Sequence, residues 1–491
     1  MNVASLLVPA LRWDAAHGFE YLRDFIDEAL ELGVGGFLIF GGTRDSVRTV
    51  AAELHERSRV PLLLASDVER GAGQQFSGCI GLPPFAALGE THDPDVLRRA
   101  ARITARELKQ LGLNWALAPV CDLDVAEEPF SPIVSTRALG NNAADVGELL
   151  MEWVDACQAE GVLACAKHFP GHGRADGDSH VTLPVVRAAA EQLWRDDLLP
   201  FRSVIDAGIA SMMTAHVSYP ALDPTGVAAT LSQPLLTELL RKEMGFDGLI
   251  VSDALEMDGV LAAGTEADVA IRAIAAGCDV LLAPMDISGT ARALERAIEP
   301  GTLSSERVRD ACDRRDRWAG WARPTVGREV TLDDTMWARQ LADRSVFVVR
   351  GTAPSVGDAV EIIQVDDDEG GPWRVPSREH FALGFRSLDV DAPVIAEPSA
   401  NTKVPVIIAV YADVVAWKGR AGISDPSLAR IDRALALAAA QKRYACVLLF
   451  SHPRHAALIS DARNVLCAWG GEPPMQSAAA RVLARGLTAL L

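Results

Sequence analysis

Eight short apolar runs recur through about the first 290 residues, and between them the sequence changes to a helical period. The runs are Val3–Val8, Gly36–Phe40, Pro61–Ala65, Leu113–Ala118, Val162–Lys167, Ala210–Ala215, Leu249–Ser252 and Asp279–Leu282. Stretches such as Phe19–Leu32, Pro94–Leu111, Val146–Ala159 and Pro234–Met244 carry helical periodicity instead. Near-continuous apolar strands alternating with helices require a parallel sheet buried on both faces. The count and repeat match an α/β chain folded as a (β/α)8 barrel, with a doubly wound sheet as the alternative. In the barrel, chemistry sits at the C-terminal ends of the strands. Asp67, Asp122, Lys167, His168, His216 and Asp253 all fall at or just after such ends.

One strand end is loaded beyond the others. Ala166-Lys167-His168-Phe169-Pro170-Gly171-His172-Gly173-Arg174-Ala175-Asp176-Gly177-Asp178-Ser179-His180 follows directly on an apolar run. Asp178 and His180 are two residues apart, so the carboxylate can take one imidazole N–H while the other nitrogen moves a proton. A glycine-rich turn with incidental histidines is the bland alternative. Titratable groups this dense rarely serve packing alone. Gly171, Gly173 and Gly177 are expected to let the loop swing.

Lys-His-Phe-Pro-Gly-His-Gly followed by Asp-Ser-His resembles the signature of bacterial β-N-acetylhexosaminidases of glycoside hydrolase family 3. Gly245-Phe246-Asp247-Gly248-Leu249-Ile250-Val251-Ser252-Asp253-Ala254-Leu255-Glu256-Met257 is similar to the nucleophile strand of the same family. The resemblance implies a (β/α)8 TIM barrel over residues 1–322, a linker at 323–334 and a smaller α/β sandwich domain at 335–491. The residues themselves agree with the second domain. Strand-like runs recur at Val346–Val349, Glu361–Val365, Val404–Val410, Val447–Phe450 and Val465–Trp469, with helical segments at Ser427–Gln441 and Met475–Leu491. Ser305–Trp321 reads as a helix that closes the barrel.

The implied activity is a retaining glycosidase that removes terminal β-linked N-acetylglucosamine, or N-acetylhexosamine, from oligosaccharides or cell-wall fragments in peptidoglycan recycling. Retention needs a nucleophile on one face of the anomeric carbon and an acid on the other. Asp253 is the expected nucleophile, delivered by a rigid strand; a helix N-cap is its other reading. His180 is the expected acid/base, because imidazole titrates near neutrality without burial, and Asp178 would orient it. By resemblance Asp67 holds the outer hydroxyls of the terminal sugar, Arg137 lines the same site, and Lys167 and His168 donate to sugar hydroxyls. His216 is read either as a contact or as a histidine satisfied by protein groups. The sequence departs from the family at Glu69-Arg70-Gly71-Ala72 and at Gln75 before Phe76, which bears on substrate detail more than on reaction type.

Other readings stay open on sequence alone. Phosphate could intercept the glycosyl-enzyme in place of water, giving a phosphorylase, since a histidine acid/base does not repel the dianion. A broad family 3 β-glycosidase would share the same residues. His168, His172, His180 and Asp178 could be metal ligands, although no other acidic cluster calls for a metal and no cofactor is expected. A non-catalytic sugar-binding protein is the last alternative.

Composition enters as a filter on partners and compartment. A net charge of −19 disfavours nucleic acid and anionic membrane and is compatible with a small neutral carbohydrate; oligomeric state is not legible. The eight cysteines are scattered without a Cys-x-x-Cys pair, as expected of reduced, buried thiols. The first nine residues read as a strand and not as a signal segment, so a cytoplasmic location is the expectation. The acidic run Asp366-Asp367-Asp368-Glu369 reads as a solvated loop.

Overall fold

Strands β1 (Leu7–Val8) and β2 (Ala10–Arg12) are one stave of a ring, divided at Pro9. Leu7 pairs with Leu281 on one side, and Leu11 pairs with Ile39 on the other. Proline has no N–H to give; its carbonyl still accepts from Leu38 N at 2.9 Å. The remaining staves are β3 (Gly36–Phe40), β4 (Leu63–Ser66), β5 (Trp115–Ala116), β6 (Leu163–Phe169), β7 (Ser211–Thr214), β8 (Leu249–Ala254) and β9 (Val280–Leu282). They are joined in the order β1-β9-β8-β7-β6-β5-β4-β3-β2, every pairing parallel. Because the split first stave touches both the last and the second, the sheet closes as a barrel and is not an open doubly wound sheet.

The computed structural model describes residues 2–125, 131–298, 302–322, 328–368, 375–400 and 402–486. The chain forms two compact units. The first comprises Met1–Ile80, Gly89–Val134 and Ala138–Thr331, and the second Gly81–Leu88, Ser135–Arg137 and Leu332–Leu491.

Inside the barrel, alternate residues of successive strands meet in one apolar cluster that includes Val8, Leu38, Ala65, Trp115, Leu163, Met213, Val251 and Leu282. Ala319 and Ala322, at the end of helix Ser305–Trp321, join it. That helix packs at the N-terminal ends of the strands: Arg315 Nη2 donates to the Gly35 carbonyl at 2.8 Å, and Asn114 Nδ2 to Ala322 O at 3.0 Å. One end of the barrel is thereby plugged, and the opposite, C-terminal end is the one lined with polar side chains. Outer helices start where the sequence supplies caps. Asp93 accepts from Asp95 N and Pro94 follows at the first helical position, while Asn142 caps the helix Ala143–Ala159.

The N-terminal run differs from its expected form. Val3–Leu6 is a 3-10 turn, not strand, because Asn2 accepts from Ala4 N at 3.0 Å and Ser5 Oγ donates to the Asn2 carbonyl at 2.7 Å. Short polar side chains offer the backbone a local alternative to the ladder. Trp115–Ala116 is likewise shorter than the apolar run around it. The chain beyond it still tracks β6, with Cys121 N donating to Lys167 O at 2.6 Å.

In the second unit, β10 (Phe347–Arg350), β11 (Glu361–Asp366), β12 (Val406–Tyr411), β13 (Ala445–Phe450) and β14 (Val465–Cys467) form a sheet ordered β10-β14-β13-β12-β11. Only β10 runs antiparallel to its neighbour. Ile362, Ile407, Leu448 and Phe450 face Phe381, Phe385 and Met475 on one side. Ile363, Ile408, Val447 and Leu449 face Ile431, Ala434 and Ala438 on the other. Period-two alternation with helices on both faces is the α/β sandwich the sequence implied. The helix Leu332–Arg344 begins inside the stretch read as linker, of which residues 323–327 lie outside the described residues.

The acidic run is not a solvated loop. Asp367 and Asp368 are buried: Arg420 reaches Asp367 at 2.7 Å, and Arg378 reaches Asp368 at 2.6 Å. Lys418 lies 3.6 Å from Asp367 and 3.4 Å from Asp368. Burial pushes Asp368 up to about 6, against the pull of Lys418 and Arg378. The run looked solvated because its cationic partners are distant in sequence. Glu369 and the two glycines after it lie outside the described residues. All eight cysteines are free thiols, and all but the half-exposed Cys79 are buried.

Candidate active site

Five adjacent staves, β4 to β8, supply the polar residues at the open end of the barrel, and each side chain is fixed by a partner. Lys167, near the end of β6, is buried and donates to Asp67 Oδ1 at 2.6 Å, just past β4; it also lies 2.7 Å from Glu69. Two carboxylates thus share one ammonium, and Asp67 keeps 29% of its side chain exposed. Glu69 belongs to the segment where the sequence departs from its relatives, and here it neutralises the lysine.

His168 follows through a cis peptide bond, and its Nδ1 lies 2.7 Å from Asp122 Oδ2. The same carboxylate accepts from the amides of His168 at 3.2 Å and His172 at 2.6 Å. Burial raises Asp122, but the neighbouring His168 and His172 outweigh it and hold the group below the usual carboxylate range. Asp122 is therefore the fixed charge that seats the start of the loop. The sequence marked it only as a polar strand end.

The dyad is formed. His180 Nδ1 lies 2.8 Å from Asp178 Oδ1, and the same oxygen accepts the His180 amide at 2.8 Å. Asp178 is buried, while the His180 side chain keeps 19% of its surface exposed. The loop rests on the segment that follows the β8 aspartate. Asp258 N donates to His180 O at 3.4 Å and Gly259 N to Ser179 O at 3.2 Å. A Cβ on Gly259 would collide with the Ser179 carbonyl and lie 2.6 Å from Thr182 O, so this close approach requires glycine. Gly173, expected to lend mobility, instead lets the backbone pass against the Leu123 carbonyl.

Asp253 lies near the end of β8, with its Oδ1 accepting from Ala254 N at 2.8 Å. Burial raises it, yet His168, His216 and His180 together hold it below the usual carboxylate range. It is therefore an ionised carboxylate facing three imidazoles. His216 has both ring nitrogens engaged, Nδ1 at 2.7 Å from Thr230 Oγ1 and Nε2 at 3.1 Å from Ala254 O. Burial lowers its pKa, and the ring braces the backbone beside Asp253 through the Ala254 carbonyl.

Asp67, Lys167, His168, His216, Asp253 and the Asp178–His180 pair thus belong to one end of one barrel. Arg137 lies in the 3-10 turn Ser135–Arg137, which groups with the second unit. The alternative metal-ligand set is not assembled, since His168, His172 and His180 turn to separate partners, Asp122, Ser179 and Asp178. Among the described residues no three His, Cys, Asp or Glu side chains converge on one point. Arg174 and Asp197, which hold the loop from below, were not legible as site residues because they lie 23 positions apart.

A model of the Glycosyl hydrolase family 3 N terminal domain matches residues 25–317. A Cellulomonas fimi protein named beta-N-acetylglucosaminidase/beta-glucosidase is 34% identical over 363 residues, 69% of this chain and 64% of that one. A Chromobacterium violaceum beta-hexosaminidase is 33% identical over 341 residues, 66% of this chain and 92% of that one. The solved structure of a glycoside hydrolase family 3 beta-N-acetylglucosaminidase from Paenibacillus sp. str. FPU-7 superposes with a TM-score of 0.84 at 27% identity, covering 99% of this chain and 96% of the other.

Proposed function

The chain belongs to glycoside hydrolase family 3, and from that premise we propose that it releases terminal β-linked N-acetylglucosamine with retention, through a covalent glycosyl-enzyme on Asp253. One observation carries the reading: the loop bearing the Asp178–His180 pair is docked by main-chain bonds onto residues 258 and 259, directly after Asp253. A nucleophile and a proton carrier are thereby held in a fixed mutual relation, as two-step displacement needs.

In the first step Asp253 attacks the anomeric carbon, and its lowered pKa keeps it ionised at working pH. The Asp178 contact to His180 Nδ1 makes Nε2 the nitrogen that gives a proton to the departing oxygen. The imidazolium that donates is stabilised beforehand by the buried carboxylate, and giving up the proton leaves the ring neutral. In the second step neutral His180 takes a proton from water, which attacks the glycosyl ester and frees Asp253. Asp67, with its exposed edge, accepts from outer sugar hydroxyls, while Lys167 and His168 donate. Arg137 is proposed as a further substrate contact on its motif alone. His216 positions the Asp253 backbone.

Relatives named for hexosamine release support the choice of sugar. Cell-wall fragments as substrates and a cytoplasmic location belong to the same proposal, the latter supported by the free, buried thiols. No described helix is long and apolar enough to cross a membrane. Product analysis on aryl β-N-acetylglucosaminides, with and without phosphate, tests the reaction. Free β-N-acetylglucosamine as the first product in both cases supports it. A sugar phosphate, or an α-configured first product, contradicts it.

A further inference from the structure

Arg174 sits inside the dyad loop, six positions before His180. Nε donates to Asp197 Oδ2 at 2.8 Å and Nη2 to Asp196 Oδ2 at 3.4 Å. Asp197 closes the short helical turn Leu193–Asp197 beneath the loop and is buried, its Oδ1 without a hydrogen bond. Gly171, at φ +124°, brings the loop root against it: an added Cβ would lie 3.1 Å from Asp197 Cβ. Tyr219, also buried, donates its hydroxyl to Gly171 O at 3.0 Å.

We propose that the Arg174–Asp197 ion pair is a positioning device for acid catalysis, fixing the loop so that His180 meets the leaving oxygen. Neither residue touches the reacting atoms. The inference rests on the assignment of His180 as acid/base. Burial of a carboxylate with one unsatisfied oxygen is costly, and it pushes Asp197 up to about 6 against the pull of Arg174. A merely structural pair could be replaced there by apolar packing. What the pair adds is a short charged contact between the loop and a turn that runs on into an outer helix, Leu199–Asp206. Displacing a proton donor by about 1 Å costs on the order of a hundredfold in rate. That cost falls only on substrates whose leaving group needs the proton.

The test compares kcat/KM for phenyl and 2,4-dinitrophenyl β-N-acetylglucosaminides in wild type, Arg174→Met, Arg174→Lys, Asp197→Asn and His180→Ala. Expected is a drop of about 30- to 100-fold on the phenyl substrate in Arg174→Met, with a drop at least tenfold smaller on the dinitrophenyl one. Arg174→Lys should recover part of the difference, and Asp197→Asn should show the same substrate dependence. An equal drop on both substrates, or none on phenyl, overturns the proposal. If His180→Ala itself shows no dependence on leaving group, the acid/base assignment fails; if it does and the Arg174 and Asp197 variants do not, only the anchor fails. Thermal unfolding checks each variant, and where Arg174→Met lacks a cooperative transition, Arg174→Lys and Asp197→Asn decide.

Discussion

The amide of Gly259 donates to the carbonyl of Ser179 at 3.2 Å, tying the segment that follows Asp253 to the loop that carries His180. Two elements separated by about 80 positions in sequence are thereby held as one unit.

Gly259→Ala should break that unit. The new methyl has no space beside the Ser179 and Thr182 carbonyls, so the loop must retreat. We expect a stability loss of about 1–3 kcal/mol and at least a tenfold fall in kcat/KM on the phenyl substrate. Unfolding curves and steady-state rates check it; an unchanged variant would show that the docking is incidental.

Asp178→Asn should keep His180 in place but remove the charge that stabilises its protonated form. Activity should fall sharply, as in triads where the orienting carboxylate is neutralised. The protonated ring loses its counter-charge, so the fall should be much larger on the phenyl substrate, which needs the proton, than on the dinitrophenyl one. A variant with full activity on both substrates contradicts the dyad.

Stability should carry its own pH signature at Asp197. Its folded-state pKa, about 6, is raised by burial above the ordinary carboxylate value of 3.8, so the folded protein holds the proton more tightly than the unfolded chain. The group therefore favours folding most at low pH, and that contribution is lost as pH rises from about 4 to about 6. Asp197→Asn removes this slope. Its stability relative to wild type should rise between pH 4 and 7, by on the order of 2 kcal/mol. Denaturant titrations at both pH values test it, and a difference that falls with pH contradicts the assignment.

Sugar preference gives a further check. A site that seats an acetamido group leaves polar partners unmet when a hydroxyl replaces it, at about 1–3 kcal/mol each. Preference for aryl β-N-acetylglucosaminide over β-glucoside should therefore be roughly tenfold to a hundredfold. Comparable rates would make the chain a broad β-glycosidase.

Local patterns were legible in the sequence and distant pairings were not. Gly36–Phe40 is a strand at its expected bounds because its residues are apolar throughout, and a doubly covered sheet buries all but Phe40. The dyad was readable because Asp178 and His180 are two residues apart. Val3–Leu6 has the apolar content of a strand, but Asn2 and Ser5 turn it locally. Asp368 looked solvated because Arg378 and Lys418 arrive from 10 and 50 positions away. Arg174 and Asp197 each sit among charged neighbours that suit an exposed face, and only tertiary structure brings them together.

The account turns on Asp253 as the covalent nucleophile. The most direct measurement is to slow the second step with a fluorinated N-acetylglucosaminyl fluoride, then digest the protein and locate the label by mass spectrometry. A single added glycosyl unit on the peptide containing Asp253, absent in Asp253→Ala, is the result this account requires. A label on another residue, or none while the normal substrate is turned over with inversion, would contradict it.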